Sequence, residues 1–295
     1  MLDIPSFQAL YHELDEYRGS HAYADVLQPW LPQAQQAMAV LGRYGNPTTG
    51  SDHDAETDLC NGGDTPYYSC LEHLYALSRV NDLLLFPFEP RPHESLAVYG
   101  LHPVAAVTAD EYLAWWQALG MVRIADTHPF HPFFHEIVHV QQATDPDEPI
   151  QVIQAKWPGF LLGRMLFSRA GVNVRGGTQH IVKRTAETSR LYWTYARGNR
   201  PTFDLSHGWG HNSQWGTGFR RDYVTDEAFE FNVDADYPLL DADGNLNADV
   251  ASQGYTPREA IEFLTHRCFI SKLDVVDSWD EPDVYFASYR EKRRW

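Results

Sequence analysis

Residues 133–142 read FFHEIVHVQQ, and the secondary structure of this segment decides the fold of the middle of the chain and the chemistry available there. In a helix, His135 and His139 would lie four residues apart on one face, where both can bind a single zinc ion. In a strand, the same residues would be about 13 Å apart and could not share a metal, because each residue advances a strand by roughly 3.3 Å. The sequence supports both alternatives.

The helical alternative supplies the ligands and the base of a zinc hydrolase. Two imidazoles on one helix face leave positions on the ion for a third protein ligand and for water. Zinc lowers the pKa of that water, and a neighbouring carboxylate can then remove its proton. The segment resembles the active-site helix of the zincin metallopeptidases over this short motif. The resemblance implies that His135 and His139 are zinc ligands and that Glu136 is the catalytic base, as in a peptidase.

The third zinc ligand would have to come from further along the chain. A helix is predicted over 178–197, and one zincin class takes a glutamate from a later helix, so Glu187 is the first choice. His180 is the second choice. The alternative role for Glu187 is a surface ion pair with Lys183, which lies four residues before it on the same helix face.

The strand alternative predicts a metal-free β-hairpin. Residues 133–140 are rich in aromatic and β-branched side chains, which favour strands. The segment 144–149 reads TDPDEP and predicts a turn, and 150–157 alternates polar and apolar residues at nearly the same length. In such a hairpin both histidines would lie on one face of the sheet and Glu136 on the other.

A second candidate site is the loop 206–216, which reads SHGWGHNSQWG. Its glycines exclude a stable helix, and its aromatic and polar side chains are typical of a site for a polar ligand. In this hypothesis the protein is a metal-free binding or accessory protein that holds a small molecule or a peptide. The structural alternative is that the tryptophan rings fill the core. The candidate ligand-binding residues are His207, Trp209, His211, Asn212, Gln214 and Trp215.

Two further interpretations concern residues around this loop. His180, His207 and His211 could form a non-haem metal site for redox chemistry, although no known spacing signature supports it. Arg220, Arg221 and Asp222 follow the loop closely, where they could place a cation opposite an anionic substrate, but a surface ion pair is their expected role.

The charge and composition of the chain limit the classes of partner that it can bind. The chain has 295 residues, a net charge of −17 and a pI of about 5.1, so it should repel nucleic acid and anionic membrane surfaces. No apolar run approaches the roughly 18 residues of a membrane span. The N-terminus lacks the basic and apolar regions of a signal peptide, which predicts a cytoplasmic protein. Three cysteines are too few for a disulfide framework; Cys60 and Cys70 could pair around the loop between them, but unpaired thiols are expected.

The pattern of elements predicts an α+β fold. The first third of the chain has helical spacing of its apolar residues, and two capping boxes open later helices at Thr108 and Thr256. Strand candidates are concentrated after residue 130. We therefore expect a single α+β domain over 1–295, with a possible helical subdomain at 1–95 and an antiparallel or mixed sheet with packed helices after it.

Overall fold

The protein is described by a computed structural model that covers residues 6–47, 66–90, 107–125, 129–189, 191–192, 194, 197, 200, 202–203, 215–265, 270 and 283–293. These residues form an α+β fold with a helical N-terminal region and mixed sheets after it, as the sequence predicted. The division into domains stays a prediction.

Seven α-helices lie within the described residues. They are α1 (Phe7–Glu16), α2 (Gln28–Leu41), α3 (Pro66–Leu85), α4 (Ala109–Ala118), α5 (Lys183–Thr188), α6 (Ala248–Ser252) and α7 (Pro257–Leu264). A π-helical turn, Tyr23–Leu27, precedes α2, and short 3-10 turns cover Gly42–Gly45, Phe86–Phe88 and Asp283–Phe286. Both predicted capping boxes are formed, because Thr108 and Thr256 each exchange hydrogen bonds with the glutamate three residues later.

The helix predicted over 178–197 is shorter than expected. Helix α5 ends at Thr188, and Leu191–Tyr192 forms a strand. Aromatic residues favour extended backbone over helix, and Tyr192 belongs to this strand.

Twelve strands form three sheets within the described residues. They are β1 (Val122–Arg123), β2 (His135–Gln142), β3 (Gln151–Trp157), β4 (Phe160–Leu162), β5 (Met165–Ser168), β6 (Ala170–Gly176), β7 (Leu191–Tyr192), β8 (Thr202–Phe203), β9 (Tyr223–Val224), β10 (Ala228–Phe231), β11 (Tyr237–Pro238) and β12 (Ala287–Lys292). The large sheet has the order β1-β4-β5-β9-β10-β12-β11, the second sheet has the order β2-β6-β3, and β7 pairs with β8.

The segment that decides the fold is strand β2, so the helical alternative for 135–139 is wrong. The predicted hairpin of β2 with β3 is wrong as well, because β6 lies between them, parallel to β2 and antiparallel to β3. Strand β6 is the central strand of this sheet, and it is buried along nearly its whole length. Strand β3 is mostly exposed, which suits the edge of a sheet.

A β-bulge in β2 changes which side chains share a face. The pairing with β6 shifts between Ile137 and His139, so the strict alternation of side chains is lost there. Ile137 and Val140 pack beneath α5, whereas Val138 joins the core formed by the N-terminal helices. The prediction that both histidines share one face is therefore wrong: His135 is buried and the His139 side chain is 50% exposed.

The main hydrophobic core joins the N-terminal helices to the large sheet. Helix α4 contributes Trp115 and Trp116, which are almost completely buried, and the ring of Trp116 lies 4.9 Å from that of Phe167 on β5. Helix α3 runs through this core and carries Cys70, which is disulfide-bonded, so the expectation of unpaired thiols is wrong for this residue. Cys60 and Cys268 lie outside the described residues. Across the part of the chain that the structure describes, no helix has the length and apolar character to cross a bilayer.

Candidate functional site

The two histidines predicted to bind zinc both lie on strand β2, too far apart along it to share an ion. His135 lies at the start of β2, where its Nδ1 is 3.0 Å from the backbone nitrogen of His131 and its ring stacks on Phe130. His139 lies four positions further along the strand, so neither histidine can reach an ion bound by the other. Within the described ranges, no group of three or more His, Cys, Asp or Glu residues is placed to hold a metal ion.

The structure does bring two of the predicted ligands together. His139 Nδ1 lies 2.8 Å from Glu187 Oε1, and the same oxygen accepts a hydrogen bond of 2.8 Å from the backbone N–H of Val140. Lys183 Nζ is 4.0 Å from it, which agrees with the ion pair weighed as the alternative. Glu187 therefore attaches α5 to β2 at the bulge, where an irregular strand leaves a backbone donor to be satisfied.

Most of the second candidate site falls outside the described residues. This applies to His207, Trp209, His211, Asn212 and Gln214. Trp215 is described, and its ring packs edge-on against Tyr11 and His12 of α1, with centroid distances of 5.1 and 5.5 Å. This contact with the main core agrees with the structural alternative for that tryptophan.

His180, the remaining predicted metal ligand, lies on the turn before α5. Its Nε2 is 3.2 Å from the carbonyl oxygen of Asp147. The other two members of the predicted redox site, His207 and His211, lie outside the described residues.

A different site is formed by a cavity of about 60 Å³ between α3, β2, β5 and the segment that leads into β9. Its wall includes an unusual number of charged side chains, namely Asp82, Glu136, Arg169, Arg197, Arg220 and Asp222. All of them except Arg169 are buried, and Arg169 is 15% exposed. Burying a charge is costly unless it is paired, so the contacts among these groups decide what the cavity can bind.

Arg197 is the centre of one half of the charged wall. Its Nε lies 3.2 and 3.3 Å from the two carboxylate oxygens of Glu136 and 3.5 Å from Oε1 of Glu89, and its Nη1 donates to Asp82. Burial lowers the pKa of Arg197, but the carboxylates of Glu136, Asp82 and Glu89 raise it by more, so its net shift is upward. Arg197 is therefore a fixed cation that holds three carboxylates together.

The other half of the wall contains two arginines around one carboxylate. Arg220 Nε donates to Asp222 Oδ1 at 2.7 Å. Arg169 Nε donates to the carbonyl oxygen of Pro132 at 2.9 Å, while its Nη2 is 3.7 Å from Asp222 Oδ2, which is too long for a hydrogen bond. Nη2 of Arg169 is buried, and no atom of the described residues accepts a hydrogen bond from it. Burial, with the nearby cations Arg220 and Arg197, lowers the pKa of Arg169 to about 10, despite the opposing effect of Asp222 and Glu136.

Neutral polar groups connect the cavity to the core. The hydroxyl of Tyr112 on α4 donates to Asn81 Oδ1 at 2.7 Å, and Asn81 Nδ2 donates to Ser168 Oγ at 3.1 Å. Burial raises the pKa of Tyr112 well above its usual value, so this phenol stays a neutral donor. These hydrogen bonds hold Asn81 and Ser168 in place, and both side chains line the cavity.

The chain matches no family model, no curated protein and no solved structure. Any functional conclusion therefore rests on the geometry of this charged cavity and on the residues around it.

Most of this site was not predicted from the sequence. Glu136 was expected in a zinc site, and the surface position expected for Arg220, Arg221 and Asp222 is wrong, because the structure buries all three. A signal was present in the segment LFSRAGV at 166–172, where one arginine interrupts a buried apolar run. Charged residues are seldom fully buried unless paired, so such an interruption indicates a specific partner.

Proposed function

We propose that the protein binds a small anionic molecule in the charged cavity, with Arg169 as the principal contact. The observation that carries this proposal is the buried Nη2 of Arg169, a charged donor beside the cavity that has no hydrogen-bond acceptor in the part of the chain that the structure describes. Leaving a buried donor unsatisfied costs about 1–3 kcal/mol, and more for a charged group. A ligand oxygen at this position would remove that cost.

The size and polarity of the cavity support a small polar occupant. A volume of about 60 Å³ holds roughly four water-sized groups, as in a carboxylate or a phosphate. Its wall contains the Ser168 hydroxyl and the Asn81 amide beside the charged groups, which gives a ligand several polar neighbours. Guanidinium groups bind carboxylate and phosphate oxygens well, because their N–H donors form a planar fork.

This proposal places the protein among the metal-free proteins that bind a small molecule. The cavity wall includes Phe219, Arg220 and Asp222, which follow the loop 206–216 directly in the chain. A contribution of that loop to ligand binding remains part of the proposal. The zinc hydrolase hypothesis loses its support, because it required 135–139 to be helical and this segment is strand β2.

The test is calorimetric titration of the purified protein with sodium acetate and with inorganic phosphate. We expect measurable binding of at least one anion and a loss of about 10- to 150-fold in affinity for Arg169→Leu, the range for a hydrogen bond to a charged group. Arg164→Leu is the matched control, because it removes the same charge from an arginine that pairs with the exposed Asp226. Absence of binding by the wild type, or equal affinity in the wild type and Arg169→Leu, would overturn the proposal.

A further inference from the structure

We infer that the ligand of the charged cavity is a small zwitterion, whose carboxylate contacts Arg169 and whose ammonium group contacts Glu136. This inference rests on the proposed function and adds the chemical identity of the second end of the ligand. It follows from the hydrogen-bonding capacity of two residues on the wall of one cavity.

Glu136 offers a buried acceptor with spare capacity. Its side chain is 4% exposed, and both carboxylate oxygens share the single Nε hydrogen of Arg197. A carboxylate has about four lone-pair positions, so one shared hydrogen leaves most of its capacity unused. Because Glu136 lines the cavity, a ligand donor inside the cavity can use that capacity.

Arg169 and Glu136 therefore have opposite requirements. Arg169 presents a buried donor that needs an acceptor, and Glu136 presents a buried acceptor that can take a donor. The two charges are close enough for Glu136 to raise the pKa of Arg169. A molecule that bridges them must carry an acceptor at one end and a donor at the other.

The charge on each side favours an ammonium donor over a neutral hydroxyl. The side near Glu136 also includes Asp82, so two of the three carboxylates that share Arg197 line the cavity there, whereas the side near Arg169 includes Arg220. An ammonium group brings a full opposite charge and three N–H donors to a carboxylate, whereas a hydroxyl brings one neutral donor. Five heavy atoms, as in glycine, are compatible with a cavity that holds roughly four water-sized groups.

The experiment compares three ligands of nearly equal size on the wild-type protein by calorimetric titration. Glycine has both charges, glycolate replaces the ammonium group with a hydroxyl, and acetate has the carboxylate alone. We expect glycine to bind at least about tenfold more tightly than either of the other two, since its ammonium group brings an opposite charge and three N–H donors to Glu136, whereas the glycolate hydroxyl brings one neutral donor and acetate brings none.

The variant Glu136→Gln then tests the assigned contact. Its amide oxygen can still accept from Arg197 Nε, so we expect the fold to persist, which circular dichroism will check. We expect glycine affinity to fall to the level of acetate in this variant, with acetate affinity changed by less than about threefold.

The outcomes separate the inference from the proposed function. If acetate or phosphate binds through Arg169 and glycine binds no more tightly than acetate, the zwitterion assignment fails and the anion site stands. If none of these compounds binds the wild type, both fail. If Glu136→Gln does not fold, the comparison of glycine, glycolate and acetate on the wild type decides the inference by itself.

Discussion

Replacing Arg197 with methionine should destabilise the protein more than any other single change in the charged cavity. The substitution removes the cation shared by Asp82, Glu89 and Glu136, whose side chains are 8%, 0% and 4% exposed. Breaking one buried ion pair typically costs about 3–5 kcal/mol, and here three carboxylates lose their common cation. We therefore expect a loss of at least about 3–5 kcal/mol, a large part of the roughly 5–15 kcal/mol that stabilises a typical domain.

The assay is urea unfolding at pH 7 followed by tryptophan fluorescence. A buried charge without its partner is costly, so Arg197→Met should unfold at a clearly lower urea concentration than the wild type.

Arg258→Met is the matched control, because Arg258 pairs with Glu262 on one helix with its side chain 75% exposed. Exposed pairs of this kind contribute little, so the unfolding midpoint of this control should stay unchanged. If Arg197→Met unfolds at the urea concentration of the control, the charged network does not stabilise the fold and the reasoning is refuted.

Three further predictions concern the framework around the cavity. Glu187→Ala should lower the free energy of unfolding by about 1–3 kcal/mol, because it removes the acceptor of the buried Val140 amide. If Glu187 bound zinc instead, the wild-type protein would contain zinc and the variant would lose it. Gly171→Ala should cost about 1–3 kcal/mol in chemical denaturation, because its added Cβ would lie 2.2 Å from the ring of Trp157, and a neutral effect would show that this ring can move. Burial lowers the pKa of His73, so just below pH 6.5 the unfolded state binds more protons than the folded state. The melting temperature of the wild type should therefore fall from pH 7 to pH 5.5, and that of His73→Gln should fall by less.

The sequence was sufficient to predict the class of fold and several local features. The capping boxes at Thr108 and Thr256 could be predicted because the interactions join residues three positions apart. The strand alternative for 133–140 also followed from local composition, and strand β2 confirms it from residue 135 onward. Local signals do not show which strands pair. The similar lengths of 133–140 and 150–157 suggested a hairpin, whereas the partner of both strands is β6, further along the chain.

The charged cavity could not be predicted because its members are distant in sequence. Asp82 comes from α3, Glu136 from β2, and Arg197 from the segment after β7. Each of them taken singly is an ordinary charged residue, expected at the surface. Only tertiary packing brings them into contact, so motif analysis assigned Glu136 to the nearest histidines instead. For the loop 206–216, most of the candidate residues lie outside the described part, and their role stays a prediction.

The position of β6 between β2 and β3 has a consequence for the order in which the chain folds. Between β3 and β6 the chain forms β4 and β5, which pair with each other in the large sheet. During synthesis, β2 and β3 are therefore made before β6, the strand that pairs with both of them. The hairpin of β4 and β5 in the large sheet can form first. Contacts between distant residues form slowly, because a long loop must close before they stabilise the chain. Completion of the sheet β2-β6-β3 should thus be a late step, and until β6 arrives the apolar side chains Ile137 and Val140 are exposed to association with other chains.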